Sequence, residues 1–282
     1  MFTALGVLLA GALAPAFAQS MGGGRAGYAA MAWLLAGLSA VSLLIGWAGA
    51  GRAERDVGAV PASSEGLTLG AALGALADPR FSVLAGVNLL QLVAGGMAYA
   101  GLIYFLTYNL GLDDALARVG PVVLLACVGI VVAQPMWVRL AARWGKQRAY
   151  VLAALVHAAA HLGWAGASWG GLPMLYGFAL VLGIGNSGWA MLGFSMVSDI
   201  AGEGKAGLFS AVWIAIDKIA FALGGALLIG LILAAFGFDA AAAARGGPQP
   251  ASALTGILVA FALFPAACNI VAAAIFARWG RV

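Results

Sequence analysis

The sequence predicts an all-α membrane protein with about eight transmembrane helices, and three observations predict it. Hydrophobic residues make up 64% of the chain and charged residues 9%, with a mean hydropathy of +1.03, whereas a soluble domain carries about 25% charged residues. Apolar runs recur along the whole chain at residues 2–18, 28–50, 81–106, 119–138, 149–164, 173–196, 208–236 and 253–277. At 1.5 Å per helical residue, runs of this length suit a hydrocarbon core of about 30 Å. They are continuous in Ala, Leu, Gly and Val rather than alternating with period two, which excludes barrel strands.

The first run, 2–18, ends in Ala16-Phe17-Ala18 before Gln19, a pattern resembling a small-x-small cleavage site. No Lys or Arg precedes it and a second run follows closely, so it is read as a span. Residues 1–50 then form the last two helices of an N-terminal half. The longest polar interruption, 51–80, holds Arg52, Glu54, Arg55, Asp56, Pro61 and Glu65 and reads as a cytoplasmic linker. Within it Leu67, Leu69, Leu73 and Leu76 have the spacing of a short amphipathic helix on the membrane face. Residues 81–282 supply six further spans, the C-terminal half of a carrier built from two six-helix halves. Gly95-Gly96, Gly183-x-Gly185 and Gly224-Gly225 fit helices that pack closely without a hydrophobic driving force between them.

Orientation follows from the cations between the runs. One set of connections holds Arg52, Arg55, Arg80, Arg139, Arg143, Lys146, Arg148, Lys205, Arg278 and Arg281; the other holds Arg25, Arg118 and Arg245. Ten against three puts both chain ends in the cytoplasm with an even number of spans; the inner (plasma) membrane is the expected location. The pI near 9.3 therefore reports topology, and no nucleic-acid partner is expected. Arg143-Trp144-Gly145-Lys146 and Arg278-Trp279-Gly280-Arg281 repeat a pattern suited to interfacial anchoring, or to internal symmetry of the half. Cys127 and Cys268 sit in separate runs as small packing residues.

Asp217 and Lys218 carry the strongest functional signal, because an ionised side chain near mid-membrane costs at least about 2.5 kcal/mol. Adjacent helical positions diverge by about 100°, so at least one needs a partner from another helix or water; the alternative is a structural ion pair. His157 and His161 share one helix face, but no third ligand lies near in sequence, and polar packing is favoured over a metal. Gly183-Ile184-Gly185-Asn186-Ser187-Gly188 matches a dinucleotide fingerprint without the strand that fingerprint needs, so close packing explains it better. Asn186 and Trp189 either line a polar pathway or pack. Asn88, Gln91, Tyr99 and Tyr104 follow one another through the 81–106 run and are expected to face the bundle interior. No catalytic triad, carboxylate pair, Walker loop or zinc motif appears, which argues against an enzyme.

Met196-Val-Ser-Asp199, then Gly207-Leu-Phe-Ser-Ala-Val-Trp213, then Asp217-Lys218-Ile-Ala-Phe-Ala-Leu-Gly-Gly225 resembles the glycoside–pentoside–hexuronide:cation symporters, a major facilitator group typified by melibiose permease. Asp78-Pro-Arg-Phe81 to Tyr104-Phe-Leu-Thr-Tyr108 is similar to that family's seventh helix. The resemblance places the spans at family helices five to twelve and matches Lys218 to a lysine that organises cation and sugar sites. Trp213 falls near a sugar-facing position, and Asp199, with Arg143 and Lys146, near the cytoplasmic gating loops. Since the family's acidic cation ligands lie on helices one to four, the chain is expected to be a truncated member, or a half paired with a chain supplying those helices.

The expected function is cation-coupled symport of sugars, glycosides or related solutes by alternating access, with H+ or Na+ as coupling cation and no other cofactor. The alternative is a non-transporting membrane protein that keeps the half-transporter fold for binding or assembly. Lipid and a small-molecule solute are the expected partners.

Overall fold

A computed structural model describes residues 6, 14–57, 68–202 and 205–280. The helices are α1 (Ala14–Ser20), α2 (Gly24–Val57), α3 (Leu69–Leu76), α4 (Pro79–Asn109), α5 (Ala115–Trp144), α6 (Lys146–Ala201), α7 (Ala206–Ala235), α8 (Ala240–Ala244) and α9 (Ala251–Trp279). No strand occurs among the described residues.

Six of these helices are long and apolar enough to cross a membrane. One of them, α6, has 56 residues, about 84 Å at helical rise, nearly three times a bilayer core. It is two spans joined at Gly171, whose φ of 64° breaks the helix and is open to glycine. Seven spans result, and their centres match the apolar runs from 28–50 onward. Most of the first run, 2–18, lies outside the described residues, as do 58–67 of the linker. Helix α2 continues through Val57, seven residues into the segment read as linker. The short helix expected at 67–77 is α3, opened by the Thr68 hydroxyl accepting from the Ala71 N–H at 3.2 Å. Asp78 then caps α4, accepting from the N–H groups of Arg80 and Phe81, with Pro79 in the first turn where its missing N–H costs nothing.

The helices meet at glycine. A Cβ on Gly183 would stand 1.9 Å from the Ala126 carbonyl oxygen, and one on Gly129 2.3 Å from that of Leu180, so α5 and the second half of α6 touch backbone to backbone. A Cβ on Gly96 would stand 2.1 Å from the Phe221 carbonyl oxygen, and one on Gly224 1.9 Å from that of Val93, so α4 and α7 do the same. Gly185 closes on the backbone of His157. The false dinucleotide fingerprint is thus a run of crossing points.

Two apolar clusters fill the bundle. One joins Phe81, Trp137, Tyr150, Met196, Trp213 and Phe276; the other joins Phe105, Trp164, Leu175, Ile229 and Phe261. Along three of the spanning helices the buried polar residues fall between them: Asn88 and Gln91 on α4, His157, His161 and Ser187 on α6, Asn269 on α9. A polar layer is therefore sandwiched at mid-span. Three π-helical stretches interrupt the spans, at Phe105–Asn109, Leu223–Leu228 and Val259–Leu263. Two of them face each other through the stacked rings of Phe105 and Phe261, 4.6 Å apart.

Replacing Gly183 by Ala should destabilise the protein by about 1–3 kcal/mol, the usual cost of overpacking. Gly177→Ala, where the new methyl meets nothing within 4 Å, should be neutral or slightly stabilising. Thermal unfolding in detergent measures both; equal melting temperatures for the two variants would contradict the backbone crossing.

Candidate functional site

The mid-span polar layer borders a cavity of about 450 Å³ between α4, α5, α6 and α7. Gln91 and Tyr99 reach it from α4, Cys127 from α5, His157, His161 and Trp164 from the first half of α6, Asn186 and Trp189 from the second, and Phe221 from α7. Small ligand sites span about 300–1,000 Å³ and are mostly apolar with a few placed polar groups. This cavity has that size and that lining.

Its polar wall is built by hydrogen bonds between distant spans. Gln91 Nε2 donates to Asn269 Oδ1 at 3.0 Å, and the Tyr150 hydroxyl donates to Gln91 Oε1. Asn269 Nδ2 donates to the Pro265 carbonyl at 2.9 Å. The Trp189 indole N–H donates to His157 Nδ1 at 3.1 Å. His157 Nδ1 also lies 3.1 Å from Asn269 Oδ1, the oxygen that accepts from Gln91. An indole nitrogen only donates and an amide oxygen only accepts, so His157 Nδ1 accepts from Trp189 in one tautomer and donates to Asn269 in the other. Gln91 and Asn269 are fully buried, at 0% exposure, as hydrocarbon surroundings require of paired amides.

A second polar contact lies just outside the cavity. Asn88 Nδ2 donates to Asp217 Oδ1 at 2.5 Å, tying α4 to α7. Asp217 is half-buried, while Lys218 is exposed on the next position round the helix. The two do not pair, and among the described residues no carboxylate lies within 4 Å of the Lys218 ammonium. Asp217 thus takes its partner from another helix, and Phe221, one turn further along α7, lines the cavity.

The remaining sequence candidates lie elsewhere. Trp213 is 3% exposed, buried in the apolar cluster with Tyr150 and Met196 rather than on the cavity wall. Tyr104 packs edge-on against Phe238 at 5.4 Å, toward the loop that holds α8. At the opposite end, Lys146 Nζ and Asp199 Oδ2 form an ion pair at 2.5 Å that joins the two ends of α6, with Arg143 exposed beside it. An exposed pair of this kind contributes about 0–1 kcal/mol. Sequence reasoning assigned His157 and His161 to polar packing and did not single out Tyr150 or Asn269, although a buried Asn or Tyr in an apolar run is itself a signal.

Asn269→Leu should lower stability by about 1–3 kcal/mol, because Gln91 Nε2 loses its acceptor in a dry setting. Gln91→Leu and Tyr150→Phe combined with it, which remove the orphaned amide and the hydroxyl that donates to it, should recover part of that loss. Thermal unfolding of the single and triple variants checks this, and an unchanged single variant would remove the network from the stabilising interactions.

Residues 1–279 match the family model described as MFS/sugar transport protein. An uncharacterized symporter from Synechocystis sp. is 30% identical over 200 residues, which cover 68% of this chain and 36% of that protein. The chain thus spans about a third of the length of the curated relative it matches.

Proposed function

Since the chain belongs to the MFS/sugar transport protein family, we propose that it is the C-terminal six-helix unit, with the helices before it, of a cation-coupled carrier for sugars, glycosides or related solutes. The observation that carries this reading is the mid-span cavity, walled by aromatic rings and bordered by buried amides and histidines, one helical turn from Asp217. Polar groups of this kind inside a membrane bundle mark solute or ion pathways. On this reading residues 81–282 move as one body against the partner half, whether that half is another part of the same polypeptide or a separate chain.

Asp217 and Lys218 then act at the face between the halves. Asn88 holds Asp217, which leaves Lys218 to engage a carboxylate of the opposite half, where lysine pairing and H+ or Na+ binding compete. The cationic ends of the spans, with Arg143 and the Lys146–Asp199 pair, face the cytoplasm on this reading. A reporter fused at Gly246 should accordingly read as extracytoplasmic.

Reconstituted proteoliposomes test the proposal. Uptake of a labelled aryl glycoside or related solute should depend on an imposed H+ or Na+ gradient, and Lys218→Leu should reduce the coupled component about tenfold or more while leaving insertion intact. Gradient-dependent uptake that is unchanged by the substitution would reduce Lys218 to a structural residue. Uptake absent under every gradient, with the chain inserted, would favour a binding or assembly role.

A further inference from the structure

Most polar atoms around the cavity already have partners inside the protein. Gln91 is engaged by Tyr150 and Asn269. The Trp189 N–H is taken by His157, and the Trp164 N–H donates to the Leu175 carbonyl at 3.0 Å. Both indoles therefore offer only apolar surface, and Trp164 is held in place by stacking on Phe261 at 4.8 Å.

Asn186 and Tyr99, which are less buried, also line the cavity without a hydrogen-bond partner among the described residues, but among the buried groups two stand out. His161 is 1% exposed, and neither Nδ1 nor Nε2 has a hydrogen-bond partner. His157, its ring 4.8 Å away centroid to centroid, has Nδ1 engaged by Trp189 and Asn269, which leaves Nε2 for a ligand. A neutral imidazole with no partner keeps one donor and one acceptor. Leaving such a group unsatisfied in a dry interior costs about 1–3 kcal/mol, a cost recovered only when something enters the cavity to meet it.

The geometry points to a binding site for a hydroxylated ring with an apolar face, anchored by the His157–His161 pair. One hydroxyl oxygen accepts from the histidine N–H, and a neighbouring hydroxyl donates to the bare imidazole nitrogen. The ring lies against Trp164 and Trp189 and the Phe221 side of the cavity. A solute hydroxylated on every edge fits less well, because apart from Asn186 and Tyr99 the other walls are apolar and its remaining hydroxyls would lose their water. The site thus selects vicinal hydroxyls on one edge of an otherwise apolar ring. This deepens the carrier reading and rests on it for the solute's fate, but binding itself is independent of transport.

Catechol carries this chemistry and serves as the probe, with benzene and glucose for comparison. The chain in lipid nanodiscs is titrated with each by calorimetry. Catechol should bind saturably, about tenfold more weakly or worse in His161→Leu, and more tightly than either glucose or benzene. His161→Gln, which keeps a donor and an acceptor, should stay within about threefold of the unaltered chain. Glucose binding as tight as catechol would overturn the solute class. Equal catechol affinity in His161→Leu, or a loss in His161→Gln as large as in the leucine variant, would overturn the anchor. No saturable catechol binding to the unaltered chain would overturn the site itself. Catechol bound but never taken up by proteoliposomes would uphold the site and remove the carrier reading instead.

Discussion

Everything in this bundle depends on helices meeting at backbone contact. Lipid tails are as apolar as leucine, so burial of side chains cannot drive these helices together as it would in water; close van der Waals approach and interhelical hydrogen bonds must. Gly183 against Ala126, Gly224 against Val93 and Gly185 against His157 bring spans within a distance no Cβ would permit. At that separation Trp189 reaches His157 across the hairpin of α6, and Gly101, whose added Cβ would stand 3.3 Å from the Phe261 Cα, brings α4 to α9, where Gln91 meets Asn269. The polar layer is a consequence of the glycines.

The same layer sets where function can reside. Polar groups placed between two apolar clusters are cut off from water at both ends, so they pair with one another or with a solute. Most pair: Asn88 with Asp217, Gln91 with Tyr150 and Asn269. His161 does not, and it lies on the wall of the cavity. The π-helical stretches at Phe105–Asn109 and Val259–Leu263 flank that cavity on the side of the Phe105–Phe261 stack. Such single-turn departures from α geometry occur often at functional sites.

Much of this was legible in the sequence because it is one-dimensional. Span positions follow from apolar length, the α6 break from the gap between the runs at 149–164 and 173–196, and the crossings from Gly183-x-Gly185 and Gly224-Gly225. The site was legible only in part. Gln91, Tyr99, Asn186 and Trp189 share one cavity, whereas Trp213 and Tyr104 turn into apolar packing on either side of it. The difference lies in how each helix is rotated about its axis, which the packing of all its neighbours decides together. The same cause hid the pairing of Gln91 with Asn269, 178 residues apart in the chain, and the place of the buried histidine pair on the cavity wall.

The central claim is that this cavity is a solute site to which access alternates between the two sides of the membrane. Asn186, which lines the cavity and is half-buried, offers a direct test. In a chain with Cys127 and Cys268 replaced by serine and Asn186 by cysteine, an impermeant maleimide is applied from either side of oriented vesicles. Alternating access predicts labelling from both sides, with the balance between them shifting when a solute gradient is imposed. Labelling confined to one side under every gradient would contradict the account.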